Sequence, residues 1–497
     1  MATSIISRED VLRSTADRIT ELEARQQQLL QEVANVDREL GVTRAQHKQA
    51  LNDGALVSAF PFEILASIFR HCQGNWTPHR RPVELDISHV SSTWRTVALG
   101  TAQLWTYIHV HMAATKYNQS PTMITRKLAL LAMYLERSSQ ASLRIRLEAS
   151  GNFMWTEALG QCASHLWRCT EFSVSAKFNF SPIEPILECL RNLRAERLRY
   201  LSVRICYYPH TPHLVEQFLS TSPAIFTLGA PSLCFARLAG VAGPLQPPLQ
   251  SVTTLSIDGT NMTEVSLVQL GALLESAPQL VNLSLTRMGL LQQPGSIPLS
   301  SSPLCLPNLR HIRICGDRDE NQDRSYQILQ RLPLEHIETL VLREIPGLAD
   351  CTFPRVRSLS VTDCSFPTNQ LEHTVDAFPA LVNLDCDLVI VTPLLILSWD
   401  GDETNRDLAV AFWSKVERLS IREMDARHAR LLIRCVESRK RRGVPIKSLV
   451  LDTRSRKVLR TVGLLEELEG HVLIEEYDDE SWPAGDAFQD NDDSFWD

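Results

Sequence analysis

No stretch of this sequence is apolar for long enough to cross a bilayer. The most apolar window of its 497 residues, Leu388 to Trp399, falls well short of the ~20 residues a spanning helix needs, and Pro393 interrupts it. A buried strand and its following turn are expected there, and no membrane contact. The amino terminus lacks the apolar core of a signal peptide. Cysteine is present but never grouped: twelve residues are scattered singly from Cys72 to Cys435 without a Cys-x-x-Cys. That pattern argues against a disulfide framework or a zinc site and suits buried thiols in a reducing compartment, the cytoplasm or the nucleus.

Catalytic signatures are missing as well. There is no phosphate-binding loop, no Gly-x-Ser-x-Gly, no His-Glu-x-x-His and no glycine-rich dinucleotide turn, so neither enzymatic activity nor a cofactor is expected. His109-Val110-His111 sets two histidines on one face of a short strand, but no third ligand stands nearby in sequence, and structural histidines are expected. His71-Cys72 with His79 fails the spacing test for zinc, and no metal site is assigned.

An excess of positive charge is also absent. Lys and Arg number 50 against 58 Asp and Glu, a net charge of -8, so nucleic acid is not the expected partner. The negative charge is local. Residues 475–497 hold ten acids and no Lys or Arg, which leaves 50 basic against 48 acidic residues elsewhere. Tyr477, Trp482, Phe488, Phe495 and Trp496 punctuate this tail. It is expected to be disordered in isolation, with aromatics able to dock on a partner or on the chain's own basic surface. A second charge run, Arg439-Lys440-Arg441-Arg442 before Gly443, resembles a nuclear import signal but better suits a helix carboxyl end.

What is present begins with a heptad pattern over residues 1–52. With Leu12, Ile19, Gln26, Val33 and Leu40 at a, the d positions are Thr15, Leu22, Leu29, Val36 and Thr43. A helix of about 30 residues with one apolar seam follows, weakened at Gly41 and ended by Asn52-Asp53-Gly54. The seam serves either a coiled-coil homodimer or a helix folded back on its own chain. Residues 55–112 read as a compact helical module. Phe60-Pro61 opens a helix with a stripe of Ile64, Leu65, Ile68 and Phe69, a polar loop follows from Gln73 to Pro82, and a second helix carries Ile87, Val90, Trp94 and Val97.

This module resembles the F-box, in the version common in multi-copy proteins of mushroom-forming fungi. The resemblance rests on Ala59-Phe60-Pro61-Phe62-Glu63-Ile64-Leu65-Ala66-Ser67-Ile68-Phe69, on Val90-Ser91-Ser92-Thr93-Trp94-Arg95, and on Gln103-Leu104-Trp105. Phe60 stands where the family has leucine, and Ser91 where it has cysteine. The resemblance covers about 50 residues of the 497. It implies docking to the Skp-type adaptor of a cullin ubiquitin-ligase complex. Phe60, Pro61, Ile64, Leu65 and Ile68 would insert into the adaptor, and Val90 and Trp94 would pack the second helix of the adaptor-binding module. Large apolar side chains in so small a domain are consistent with an interface.

Beyond residue 120 the unit apolar-x-x-apolar-x-apolar repeats. It occurs at Cys169/Phe172/Val174, Leu198/Leu201/Val203, Ile225/Leu228/Ala230 and eight further times down to Ile446/Leu449/Leu451, with an earlier half-unit at Leu143/Ile145/Leu147. The first six gaps between units run 27 to 29 residues, and later ones shrink to 19 and stretch to 35. Pro223, Pro278, Pro307, Pro354 and Pro379 each stand two residues before a unit, where they end a helix and aim the chain into a strand. Helical stretches such as Val265 to Leu274 lie between. The expected fold class is therefore an α/β repeat: an irregular leucine-rich-repeat solenoid over residues 120–474, preceded by a small all-α F-box module and an amino-terminal helix.

In such strands the apolar members point into the core, and the residues between and after them face the concave surface. Serine fills six of eleven places between the second and third members, an expected steric adaptation. Tyr200, Arg204, His311, Arg313, Arg343, Asp385, Asp387, Arg418 and Arg422 are the candidate substrate-binding residues, and their mixed charge suits a protein partner. The functional expectation is a non-enzymatic receptor that joins an unknown protein substrate to a cullin-type ligase. The alternative is a protein-interaction scaffold, outside ubiquitin transfer, whose F-box-like helices are only a structural cap.

Overall fold

The computed structural model describes residues 8–53, 56–73, 82–112, 121–150, 154–178, 184–207, 224–240, 245–259, 267–288, 304–316, 328–345, 351–364, 376–387, 414–477 and 482. The apolar window at 388–399, His79 and most of the acidic tail lie outside them. The chain forms two compact units, Met1–Trp105 and Thr106–Asp497.

The first unit is helical. α1 (Arg8–Asp53) runs unbroken for 46 residues, longer than the heptads foretell, because one glycine inside a helix costs only about 1 kcal/mol. Its seam residues Leu12, Ile19, Leu22, Leu29, Val33, Val36 and Leu40 are each at least 42% exposed, so the seam is not folded against the rest of the first unit. α2 (Phe62–Cys72) starts after Pro61, as expected. The single second helix does not form. Instead α3 (Val83–Ile87) and α4 (Ser92–Gly100) are separated by a turn, so Ile87 and Val90 do not share a helix with Trp94 and Val97. The cause is Ser91, whose hydroxyl accepts from the Trp94 amide at 3.1 Å and so caps α4. Leu65, Phe69, Ile87, Val97, Leu104 and Trp105 form the core. The Trp105 indole donates to the Ala98 carbonyl at 2.8 Å, which satisfies a ring nitrogen that burial would otherwise strand.

Among its described residues the second unit is one sheet of fourteen parallel strands in strict chain order. β1 (Tyr107–Met112) is its first strand, so residues 106–112 belong here rather than to the helical module. β2 (Leu143–Ser150), β3 (Cys169–Phe178), β4 (Tyr200–Tyr207), β5 (Phe235–Ala239), β6 (Thr254–Asp258) and β7 (Asn282–Thr286) follow. β8 (His311–Cys315), β9 (Thr339–Arg343), β10 (Ser358–Thr362), β11 (Asn383–Asp387), β12 (Arg418–Arg422), β13 (Ser448–Leu451) and β14 (Leu473–Glu476) complete it. Ten of the eleven anticipated units coincide with strands. The exception is Ile225/Leu228/Ala230, where Leu228 is 62% exposed and no strand forms. The strand instead uses Leu233/Ala236/Leu238, the same pattern eight residues later, after a turn at Pro231-Ser232. The assumption of even spacing favoured the wrong match, since Leu238 follows Val203 by 35 residues and precedes Ile257 by only 19.

Each strand begins on its predecessor. The Arg199 carbonyl accepts from the amides of Cys234 and Phe235, that of Thr253 from Val281 and Asn282, and that of Val281 from Arg310 and His311. Helices cross back between some strands: α5 (Pro121–Arg137), α6 (Trp155–Ala163), α7 (Glu184–Arg191), α8 (Leu267–Glu275), α9 (Ala426–Arg441), α10 (Thr453–Val462) and α11 (Leu465–Glu469). Arg168, 1% exposed, donates to the carbonyls of Leu135 and Ala141 and to Ser138 Oγ, so a cation caps the carboxyl end of α5. At the end of α9 Gly443 takes φ 78°, and Arg439 turns inward to the Val416 carbonyl. Arg439 of the basic run is thus spent inside the fold, while Gly443 closes the helix. Cys169 and Cys364 are buried, which pushes each thiol up to about 12, the range of inert structural thiols.

Two residues past the third apolar member, the backbone repeatedly enters the left-handed region: Gly240, Arg287, Glu344, Asp363 and Glu423 all have positive φ. At Gly240 a Cβ would stand 1.7 Å from the Ile205 carbonyl oxygen, whereas Gly463, at φ 74°, faces open space. Gly463→Ala is expected to cost about 1–2 kcal/mol of unfolding free energy from backbone strain alone. Gly240→Ala is expected to cost clearly more; urea denaturation giving equal losses would refute that ranking.

Candidate functional site

Two surfaces carry the residues singled out by sequence. On the helical unit, Phe60, Pro61, Ile64, Ile68 and Val90 are exposed, with Phe60 at 46% and Ile64 at 49%. Ile64 and Ile68 lie one turn apart on α2, and Val90 stands in the turn before α4. Leu65 is different. It is 1% exposed and belongs to the core, so it holds α2 against its neighbours rather than offering a contact. Trp94 is half-buried with its ring 4.9 Å from that of Phe69. Phe62 lies over Gly100, where any Cβ would meet its ring at 3.1 Å. The unit thus divides the apolar residues of one short helix between an inner face and an outer one.

On the sheet, register gathers the anticipated residues into three rows across the face opposite the apolar core. The middle row runs Ser173, Ser202, Arg237, Ser256, Ser284, Arg313, Val341, Ser360, Asp385, Ser420, Val450. Tyr200, His311 and Arg418 belong to the row before it, and Arg204, Arg343, Asp387 and Arg422 to the row after it. These rows are hydrogen-bonded sideways. Arg313 Nε donates to Ser284 Oγ at 2.8 Å, Ser360 Oγ to Asp385 Oδ2 at 2.8 Å, and the Arg422 guanidinium to the same Asp385 carboxylate. Asp387 accepts from the amide of Asp363, one of the left-handed residues, so its first role is local. Arg204 is buried at 5% exposure, out of reach of an arriving partner. His311 is partly buried, and desolvation lowers its pKa and keeps it neutral.

Sequence reading missed several members of this face. Phe235 stacks on Tyr200 with centroids 4.8 Å apart, and buried Arg237 fills the middle row, both displaced from view by the misplaced fifth strand. Glu475 and Glu476 belong to β14 rather than to the tail, and Glu475 pairs with Arg418 at 3.0 Å. Tyr477 lies 4.8 Å under the Arg422 guanidinium, and Trp482 lies 4.8 Å under that of Arg313.

The two histidines of β1 do meet a third group. β1 pairs with β2 so that His111 stands opposite Glu148 and His109 opposite Arg146. Glu148 Oε2 lies 3.2 Å from His109 Nε2 and 3.0 Å from His111 Nδ1, while Oε1 accepts from Arg146 Nε. Among the described residues this is the one cluster with three ligand atoms close enough for a metal ion. Its electrostatics favour protons. Arg146 already neutralises the carboxylate, and a dication there would sit beside a guanidinium and displace both histidine contacts. Burial pushes Glu148 upward, but the His109 and His111 hydrogen bonds and the Arg146 charge overcome it and hold the carboxyl far below its usual range. Burial lowers His109, against the pull of Glu148.

No family model matches this chain, and no curated protein matches it either. Among the described residues no helix is long and apolar enough to cross a membrane.

Both shifts in the β1–β2 cluster act in one direction. His109 binds its proton less readily than in the unfolded chain, so stability declines as pH falls below about 6.5. Glu148 adds a further loss as pH falls through about 4.3 toward its depressed folded value. Glu148→Gln is expected to cost about 1.5–3 kcal/mol at pH 7 and to flatten the acid limb of stability followed by circular dichroism. An unchanged acid limb would show that the carboxylate contributes nothing to stability.

Proposed function

We propose that the chain is a non-catalytic substrate receptor of a cullin-type ubiquitin ligase, with an F-box docking a Skp-type adaptor and a leucine-rich-repeat sheet holding a protein substrate. The observation that carries the reading is the outer face of α2. Phe60, Ile64 and Ile68, together with Val90 in the turn before α4, leave large apolar groups in water on a unit whose core is already complete without them. Such a cluster on a small domain is the form of an interaction surface. Further support comes from the motif order around it, and from a repeat sheet whose open face is charged rather than apolar. The receptor would act by proximity, raising the local concentration of substrate lysines near a conjugating enzyme while doing no bond chemistry itself.

Adaptor capture tests this. Phe60→Ala with Ile64→Ala and Ile68→Ala should abolish co-purification with a Skp-type adaptor while circular dichroism stays unchanged, because none of the three is in the core. Leu65→Ala should instead lower the melting temperature. Retention of the adaptor by the triple variant would show that this face is not the docking site, and failure of the unaltered chain to capture the adaptor would remove the ligase reading and leave the scaffold one.

The exposed seam of α1 supports a homodimer through paired amino-terminal helices. A 46-residue helix with every apolar heptad position in water has its natural partner in a second copy, with Gln26 at an a position setting register. Sedimentation should give a dimer for the full chain and a monomer for Leu22→Glu/Leu29→Glu. A wild-type monomer at micromolar concentration would refute the pairing.

A further inference from the structure

The open face of the sheet from β8 to β12 carries aromatic rings of the chain itself over two of its arginines. Trp482 places its ring against Arg313 on β8, and Tyr477 places its ring against Arg422 on β12, each with 4.8 Å between guanidinium carbon and ring centroid. Glu475 meets Arg418 on β12 at 3.0 Å. Glu475 is part of β14 itself, so the two contacts that reach the face from beyond the last strand are the rings of Tyr477 and Trp482, and both use arginines of that face. The arginines are not loose. Arg313 is held by Ser284 and Arg422 by Asp385, which is in turn held by Ser360, so the guanidinium planes are set before anything stacks on them. Pre-set arginine planes favour flat aromatic rings and carboxylates over other groups.

We infer that this part of the sheet is a binding surface for acidic peptide segments bearing an aromatic side chain, and that the chain's own Trp482 occupies it in cis. Charge agrees with the assignment. Arg313, Arg343, Arg418 and Arg422 outnumber Asp385 and Asp387 on these strands, whereas residues 475–497 hold ten acids and no Lys or Arg. Asp385 is itself bound by Arg422 and Asp387 by the Asp363 amide, so neither carboxylate is presented freely to an acidic visitor. The same face would not retain a basic segment, whose charges would meet four arginines, nor an uncharged apolar one, which would desolvate them without compensation. Where the protein acts as a ligase receptor, the inference names the class of substrate it captures, and that consequence rests on the ligase reading. The binding surface itself does not, since no residue of the helical unit enters the argument.

Peptide binding in trans provides the test, with the full chain and no adaptor. The probe is a fluorescently labelled peptide of residues 478–497, followed by anisotropy at low salt. In the full chain a tethered competitor sits at an effective concentration on the order of millimolar. Trp482→Ala removes its anchor, so the variant is expected to bind the peptide about tenfold more tightly than the wild type. Adding Arg313→Gln should abolish that binding, as should replacing the tryptophan at position 482 by alanine in the peptide. Raising the salt should weaken it, because the carboxylate contacts are screened. Equal binding by wild type and Trp482→Ala, binding indifferent to Arg313 and to the tryptophan at position 482 of the peptide, or no binding at all would each overturn the inference. A failure here with adaptor capture intact would count against the binding surface alone, and the reverse pattern against the ligase reading alone.

Discussion

The structure depends on a hand-over of backbone carbonyls. At one repeat after another a single carbonyl, such as that of Arg199, Thr253 or Val281, accepts from two successive amides at the start of the next strand. A parallel sheet has no tight hairpins to fix register, so register must be set at the point where each strand is entered. The turn before the strand delivers the chain to that carbonyl, the apolar triad then fixes which side chains face the core, and a left-handed residue ends the strand. Once those three events recur, the length of chain between them hardly matters. Gaps of 19 and 35 residues are accommodated within one continuous sheet. The polar face of the sheet is a by-product of the same constraint, because strand side chains that alternate with the triad are projected into rows on the opposite side.

How much of this was legible in the sequence follows from which signals are local. The triads are local, and ten of eleven lie on strands. The failure at Ile225 arose because Pro223 imitates the entry turn as well as Pro231 does, and only burial distinguishes them. The second helix of the amino-terminal unit was misread for a similar reason. Helical spacing from Ile87 to Val97 looked continuous, but the capping preference of Ser91 outweighed it. Glu148 was invisible as a partner of His109 and His111 because it arrives from an adjacent strand 37 residues beyond His111 in the chain. The stacking of Trp482 on Arg313 had still less signature, since nothing in either neighbourhood refers to the other.

Leu65 illustrates a wider point about motif residues. A short amphipathic helix that must both close a small core and present a surface assigns adjacent positions to different tasks, here Leu65 inward and Ile64 outward. A motif records both tasks without separating them. Substitution at such sites therefore needs two readouts, folding and association, before a loss can be assigned to either.

The last strand carries a consequence for how copies of the chain behave toward each other. An all-parallel sheet in chain order has unlike edges, and unlike edges can join head to tail without closing, which is the geometry of a filament. β14 is four residues long, and two of the four are Glu475 and Glu476. A short edge offers few unpaired amides to an approaching strand, and adjacent carboxylates repel one that brings its own acids. Two adjacent carboxylates on this short strand thus disfavour continuation of the sheet into a second copy.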